Sequence, residues 1–401
     1  MQTTLAEFVK SREEQGELEA ILRSCVHCGF CNATCPTYLL SGNELEGPRG
    51  RIYLLKQMLE GEPVGKATQQ HLDHCLNCGA CETTCPSGVN YGRLLDLGRE
   101  MVDEQVPLSF FRQIIRGLML GIFPYKRRFN GLLVFARLFR FCLPATLKNR
   151  VRPKKSVKPW PQRLHDRRVL VLPGCVQPAL SPEIDVAAAH VLDKLGISLI
   201  AVDDSPCCGA LNYHLSAHEK AKQLARNNID VCWPYLEDGV EAIIMTSSGC
   251  GVMLKDYASL LQYEAEYAEK ARLFSNKVKD ISEILMHEDL AVFDGENKRI
   301  AFQSPCTLQH GLKLNGVVEG ILQRCAYVLV PVRDGHLCCG SAGVYSLLQP
   351  AISAQLKHNK LGALQQQQPS LIATSNIGCL MHLQDAAELE VMHWLVLLDG
   401  E

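Results

Sequence analysis

The chain has 401 residues, 41 Lys or Arg against 43 Asp or Glu, and 19 cysteines. That length allows two or three domains with real cores and is too great for a small disulfide scaffold, and the opening MQTTLAEFVKSREE lacks the apolar segment of a secretory signal. The thiols are expected to stay reduced in a cytoplasm, and no run approaches the roughly 18 apolar residues of a membrane span.

Residues 4 to 24 read as one helix, opening on a capping box from Thr4 to Glu7 and carrying Leu5, Phe8, Leu18 and Leu22. Directly after it come Cys25, Cys28, Cys31 and Cys35, followed by Pro36. A second helical stretch, Arg51 to Glu60, separates these from Cys75, Cys78, Cys81 and Cys85, followed by Pro86. The two runs repeat one C-x2-C-x2-C-x3-C-P pattern 50 residues apart, the signature of two-cluster bacterial ferredoxins. A cubane cluster takes three thiolates from one short loop, and in this arrangement the fourth cysteine of each run crosses to the other cluster. The expected ligand sets are therefore Cys25, Cys28, Cys31 and Cys85 for one 4Fe-4S cluster, and Cys75, Cys78, Cys81 and Cys35 for the other. Gly29 and Gly79 supply the positive φ that brings backbone close to sulfide. Zinc sites use C-x2-C pairs, which two runs of four followed by proline match poorly. His27 and His74 flank ligands and are candidates to tune the clusters. Arg49 and Arg51 read either as positive charge near a cluster or as ordinary helix N-terminal residues. Residues 1–105 are expected to fold as a small helical domain around two clusters.

Residues 106–167 form a basic connector. From Pro107 to Arg168 there are sixteen Lys or Arg and one acid, Asp166. Phe110, Phe111, Ile114, Ile115, Leu118, Met119 and Ile122 make a helical apolar face with Arg112 and Arg116 opposite. Leu132 to Leu143 is apolar but interrupted by Arg137 and Arg140, and residues 148–168 read as an extended linker. Such a segment packs domains together, or lies at 107–168 on an anionic lipid surface or an acidic partner subunit. Its phenylalanines lie in an apolar stripe, so nucleic acid is not an expected partner.

From Arg168 onward the chain repeats itself. Cys175 is followed 32 and 33 residues later by Cys207-Cys208-Gly209 and then by Cys250, while Cys306 is followed at the same distances by Cys338-Cys339-Gly340 and then by Cys379. Two related domains, 168–297 and 298–401, are expected. Each reads as strand, helix, strand, Cys-Cys-Gly loop, long helix, strand: Val169–Leu172, Ile197–Val202 and Ala242–Thr246 in the first, Ile300–Phe302, Tyr327–Val330 and Leu371–Thr374 in the second. The long helices are His218–Val231 and Ala351–Leu364. Alternating strands and helices predict a parallel sheet in each, with the cysteines at strand C-termini, where open α/β sheets bind ligands. The fold class is thus α+β multidomain: a helical two-cluster ferredoxin domain and two cysteine-rich (CCG) α/β domains.

Adjacent Cys207 and Cys208 cannot readily bridge each other. With Cys175 and Cys250 they would make a four-sulfur site for a further iron-sulfur group or another soft metal, and Cys306, Cys338, Cys339 and Cys379 would make a second. Recurrence at matching offsets argues against mere packing; Cys142, Cys232 and Cys325, outside both patterns, read as core residues.

The chain resembles the iron-sulfur subunits of flavin-linked dehydrogenases and heterodisulfide reductases. CVHCGFCNATCPTYLLSGNELEGPRGRIYLLKQ, CETTCPSGVNYGRLLDLGR, CTLQHGLKLNGVVE and HLCCGSAGVYSL are similar to the glycolate oxidase iron-sulfur subunit family in particular. That resemblance implies an electron-transfer subunit that takes electrons from FAD-containing glycolate oxidase subunits and passes them to a quinone or other acceptor, from a cytoplasmic position peripheral to the inner face of the membrane. In the heterodisulfide reductase subunits the motif continues as C-x2-C and binds a non-cubane cluster. Here Met253 and His382 stand at those second positions, which speaks against a complete cluster of that kind, although His382 could itself be a ligand. Thr307 and His310 could line an acceptor pocket. Gly249-Cys250-Gly251 lacks the third glycine of a dinucleotide turn, so no flavin is expected on this chain and hydride chemistry belongs to another polypeptide. The alternatives are the same wiring serving a lactate or glycerol-3-phosphate dehydrogenase, or a heterodisulfide-reductase-like catalytic subunit.

Overall fold

The computed structural model of the chain describes residues 1–142 and 156–400. The expected linker at 148–155 and the side chain of Cys142 lie outside the described residues. The first helix differs from expectation: it is two pieces, α1 (Glu7–Lys10) and α2 (Gln15–Ser24), with no side-chain cap at Ala6. Tertiary bonds displace the capping box, since the Thr4 amide donates to Glu60 Oε1 at 3.3 Å and the Ala6 amide to Leu59 O at 2.8 Å. Glu7 turns instead to Lys10.

Next come α3 (Pro36–Ser41), α4 (Pro48–Leu59), α5 (Lys66–Asp73), α6 (Ala80–Thr84) and α7 (Tyr91–Gln105). Pro36 and Pro48 occupy first turns, where the missing N–H costs nothing. Leu18, Leu22, Leu55, Met58, Leu94 and Leu95 form a sealed core that also takes in Cys25 and Cys81, so the protein packing here runs straight into the cysteine loops.

The connector forms α8 (Phe110–Ile122) and α9 (Lys126–Leu138). Its polarity is inverted relative to a packing helix. Arg112 and Arg116 point inward to Asp73 and Asp103, at 3.1 and 2.8 Å, while Phe110, Phe111 and Leu138 are 75%, 76% and 70% exposed. Met119, Phe129 and Leu133 are the buried apolar contacts of the pair.

Each cysteine-rich domain holds a four-stranded, all-parallel sheet. The first has the order β2-β1-β3-β4, from β1 (Arg167–Val171), β2 (Ile197–Ala201), β3 (Ala242–Met245) and β4 (Val278–Asp280); the second repeats it as β6-β5-β7-β8, from β5 (Arg299–Gln303), β6 (Val328–Leu329), β7 (Leu371–Thr374) and β8 (Val391–His393). Val169 pairs with Leu199 and Ala242; Ile300 pairs with Leu329 and Leu371. The edge strands β4 and β8 are absent from the sequence reading. The helices that follow them interlock the domains: Trp394–Asp399 packs on Glu183–Lys194 of the first, and Ile281–Leu285 packs on Val317–Arg324 of the second. One apolar core runs through both, from Val171 and Ile184 to Phe302 and Trp394. Each domain thus completes the other, as in an isologous pair.

Candidate functional site

The two cysteine runs fold alike. Each loop passes through left-handed backbone twice, at His27 (φ 60°) and Gly29 (φ 86°) in the first and at Asn77 (φ 53°) and Gly79 (φ 73°) in the second. Cys25, Cys28, Cys31 and Cys85 line one cavity, so the crossing cysteine of the second run meets the first loop; Cys81, Arg49 and Tyr91 also border it. Burial pushes the Cys31 thiol up to about 11, with Cys25 and Cys85 adding to the shift. In the other group burial drives the Cys78 and Cys81 thiols well up, and both feel the charges of Cys75 and Cys35. Among the described residues no three of these groups converge where a single ion would sit. Three thiols of one twice-left-handed loop and the crossing Cys85 surround one cavity, a donor set that fits a 4Fe-4S cluster, and the second loop repeats the same backbone.

The loops differ in exposure. Cys28 is exposed, and around it Val26, Phe30 and Tyr53 are 67%, 62% and 46% exposed. The second loop faces inward. Cys78 shares a packed group with Leu76, Cys306, Cys338 and Tyr345, and the Tyr345 hydroxyl donates to His74 O at 2.9 Å. His310 meets Thr83 at 3.0 Å and His336 O at 3.0 Å. The first cysteine-rich domain touches the same loop less directly: Asn77 Nδ2 and His214 Nδ1 both donate to Asp96 Oδ1, each at 3.1 Å, and Arg93 donates to Tyr213 Oη at 2.6 Å.

In each cysteine-rich domain the four sulfurs form a chain. Cys175 and Cys207 lie 3.3 Å apart, and Cys208 joins Cys207 to Cys250. Cys306 and Cys338 lie 3.8 Å apart and Cys339 and Cys379 3.4 Å, with Cys338 and Cys339 bonded between them. The Cys207 thiol is pushed down because Cys175 and Cys208 both bond to its sulfur. The Gly209 and Gly340 amides donate to Cys207 and Cys338 Sγ at 3.5 and 3.4 Å. The two chains meet at the domain boundary, where Ser248 Oγ and Thr307 Oγ1 are 2.7 Å apart, two residues from Cys250 and one from Cys306. Thr307 therefore sits on the boundary rather than in an open pocket. His382 is buried with Nε2 3.4 Å from Ser353 Oγ, which itself donates to Gly340 O. Met253, Cys232 and Cys325 lie in apolar core.

Of the charged residues around the sulfurs, Arg49, Arg51 and His74 are marked by the sequence, whereas Glu44, Glu46 and Lys360 are not. Arg51 is fully buried and donates to Glu46 Oε2 (2.8 Å), Thr37 Oγ1 (3.1 Å) and His71 O (2.6 Å). Thr37 Oγ1 is 3.3 Å from Cys35 Sγ. Burial raises the Glu46 carboxyl, but bonds from His74 and His71 and the Arg51 charge outweigh it and hold it at about 2. Burial opposes the Arg51 charge, and the surrounding Cys75, Cys35 and Glu46 more than restore it. His74 thus serves a carboxylate, and the His27 ring lies tilted at 47° to Tyr53 with centroids 6.0 Å apart. Arg49 pairs with Glu44 at 2.6 Å beside the first cavity. In the second cysteine-rich domain the buried Lys360 ammonium donates to Asp334 O and Gly335 O, each at 3.1 Å. Burial lowers its pKa and the four neighbouring sulfurs counter this. The only signal for these in sequence is charge near a motif, which does not specify a partner.

Comparison with known proteins agrees with this architecture. A 4Fe-4S dicluster domain family matches residues 21–89, and a cysteine-rich domain family matches residues 169–255 and 300–384. The chain is 48% identical over 403 residues to the glycolate oxidase iron-sulfur subunit of Escherichia coli K12, covering 100% of this chain and 98% of that one. It is 30% identical over 420 residues to the probable glycolate oxidase iron-sulfur subunit of Bacillus subtilis, covering 95% and 91%. Lactate utilization protein A of an Exiguobacterium strain is 24% identical over 234 residues, 55% of this chain and 91% of that one. A crystal structure of a hypothetical protein from Helicobacter pylori superposes with a TM-score of 0.55 at 11% identity, over 98% of this chain and 73% of that one, a likeness of fold alone.

Proposed function

The chain belongs to the family of glycolate oxidase iron-sulfur subunits, and from that premise we propose how its surfaces are used. It is an electron-transfer component of an oxidoreductase complex with two 4Fe-4S clusters. We assign Cys25, Cys28, Cys31 and Cys85 to one cluster and Cys75, Cys78, Cys81 and Cys35 to the other. Bound there, the clusters supply one-electron storage, which divides the electron pair of a reduced flavin. A flavoprotein that oxidises glycolate to glyoxylate docks over the exposed first loop, where Val26, Phe30 and Tyr53 offer an apolar surface beside Cys28. The Arg49 and Arg51 guanidiniums, each paired with a carboxylate of Glu44 or Glu46, lie against the cysteine loops and turn N–H donors toward added negative charge there. The acceptor, a quinone or a molecule of similar reach, lies on the opposite side, beyond the two cysteine-rich domains, whose four-sulfur chains hold further iron-sulfur or soft-metal groups. The outward apolar faces of α8 and α9, bordered by the basic residues of 107–168, rest on an anionic lipid surface at the cytoplasmic side of the membrane.

One observation carries this polarity: the first loop is open to solvent while Cys78 of the second is packed against Cys306 and Cys338. The test is iron and acid-labile sulfide counted anaerobically, alongside glycolate-dependent dye reduction with and without the flavoprotein. The expected result is at least about eight irons per chain, a lower count in Cys208→Ser and Cys339→Ser, and dye reduction only when the flavoprotein is added. An iron-free chain, or glycolate oxidation by this subunit alone, overturns the reading.

A further inference from the structure

We propose that the cleft between β2, the helix Glu183–Lys194 and the strap at 160–164 is the binding site for a quinone-type acceptor, an apolar ring that leaves as a hydroquinone. The proposal deepens the reading above and rests on it for its electrons. The cleft holds about 710 Å³, within the range of small-molecule sites. Its walls are mixed: Pro173, Val186, Ala189 and Leu199 supply apolar surface, and Arg163, Asp193 and Ser198 polar groups. Trp160 closes the rim by donating its indole N–H to Leu199 O at 3.3 Å. A flat ring with polar carbonyl ends matches a slot of this mixed character.

Into this wall the fold sets a buried carboxyl. Asp185 is 7% exposed and accepts from Gln177 Nε2 at 2.8 Å and Thr246 Oγ1 at 2.6 Å. Gln177 stands behind it, outside the lining of the cleft, and fixes the orientation of the carboxyl. Burial pushes the Asp185 carboxyl up to about 6, so it holds a proton over a range where a surface aspartate does not. In the second domain the repeat places Gly316 at this position, 131 residues on.

Both ends of the cleft have a use. Inward, Pro173 is two residues from Cys175, and Thr246 leads into the turn that carries Cys250. Outward, α9 flanks the mouth: Lys126 donates to Asp203 O at 2.9 Å and Arg137 donates to Ala179 O at 3.1 Å. An acceptor carried in lipid would therefore arrive along the exposed faces of α8 and α9. The chemistry balances simply. The quinone gains two electrons, delivered singly by the iron-sulfur subunit, and two protons, one through Asp185 and one from water; its two carbonyl oxygens become hydroxyls and no carbon bond breaks.

The test uses the detergent-solubilised complex with all subunits, so that it does not depend on membrane contact. An azido-benzoquinone with a short isoprenoid tail is photolysed on the complex and the label is mapped by mass spectrometry. Label in 160–164 and 182–203, suppressed by excess decylubiquinone, is the expected result. Val186→Trp should lower that label at least tenfold at wild-type iron content; Ala201→Trp replaces it should the first variant fail to hold iron. Label confined to other segments, or undiminished in an iron-replete variant, overturns the site. Dye reduction by the wild-type complex is scored separately: dye reduction without cleft labelling sinks the site and spares the electron-transfer reading, whereas loss of dye reduction sinks that reading itself.

Discussion

The two cysteine-rich domains share a strand order, a register and a chain of four sulfurs, yet their surroundings differ. The second is pressed against the ferredoxin domain: Cys306 and Cys338 pack on Cys78, and Tyr345 bonds to the backbone just before Cys75. It also carries its own cation, Lys360, where the matching helix of the first domain has the neutral Asn228, which donates to Cys207 O at 3.0 Å. The first domain touches the ferredoxin domain through polar contacts at Asn77 and Arg93. It takes a cation from the connector, as Lys126 lies in the field of Cys175, Asp203 and Asp185. A duplicated fold has thus been specialised by what is laid on it, one copy sealed toward the clusters and the other open to a cleft.

The largest expected effect tests how tightly each copy is closed. Gly209 and Gly340 occupy matching turns at φ 89° and 88°, so any side chain at either position costs roughly 1 to 2 kcal/mol for left-handed backbone. A methyl on Gly340 would meet Ser353 O at 2.8 Å and Leu356 Cβ at 2.9 Å, whereas one on Gly209 meets Ala221 O at 3.3 Å. Overpacking adds about 1 to 3 kcal/mol only in the tighter case. Gly340→Ala should therefore lower stability by about 2 to 5 kcal/mol and Gly209→Ala by about 1 to 2 kcal/mol, read as urea midpoints under anaerobic conditions. Equal losses would mean the two turns are equally forgiving.

Next in size is a gain. Asp185 has no counterpart in the second domain, and burial lifts its carboxyl from an ordinary 3.8 to about 6, against the pull of Thr246, Gln177 and the Lys126 charge. The folded state binds this proton more tightly than the unfolded chain does. Its contribution is fully present below about pH 4 and is lost as pH rises through about 6, after which an ionised carboxylate burdens the fold. Asp185→Asn should stabilise the protein at pH 8 by up to about 3 kcal/mol, with the gain fading to nothing near pH 4. A pH-independent change would show that Asp185 is not held in its acid form, and would separate the first domain from the second less sharply.

Which of these differences the sequence disclosed follows from their range. Cysteine spacing is a local signal, so the two loops, their left-handed glycines and the paired Cys-Cys-Gly turns were legible, as were the first three strands of each sheet. The strands β4 and β8, three residues each, are too short to leave a periodic trace. Amphipathic spacing in α8 marked an apolar face but not its direction; only the inward bonds of Arg112 and Arg116 show that the face looks out. The Asp185 cleft and the histidines that reach the Arg51–Glu46 pair come from segments far apart in the chain, with Thr246 meeting Asp185 across 61 residues and His74 meeting Glu46 across 28. A single sequence gives no view of such meetings.

The smallest expected effect concerns how each copy holds the second cysteine loop. Tyr345 is a buried phenol whose hydroxyl donates to His74 O, one residue before Cys75. Tyr345→Phe leaves that carbonyl without its partner and should cost about 1 kcal/mol. Tyr213 of the first domain instead accepts from Arg93, which keeps two bonds of 3.1 Å to Glu17 when the phenol is gone, so Tyr213→Phe should cost less. Spectroscopy adds a readout that stability lacks: if Tyr345 orients the Cys75 loop, the electron paramagnetic resonance of the reduced protein should shift in Tyr345→Phe and stay put in Tyr213→Phe. A shift in the second variant alone would reverse the comparison, making the first domain the one that positions the loop.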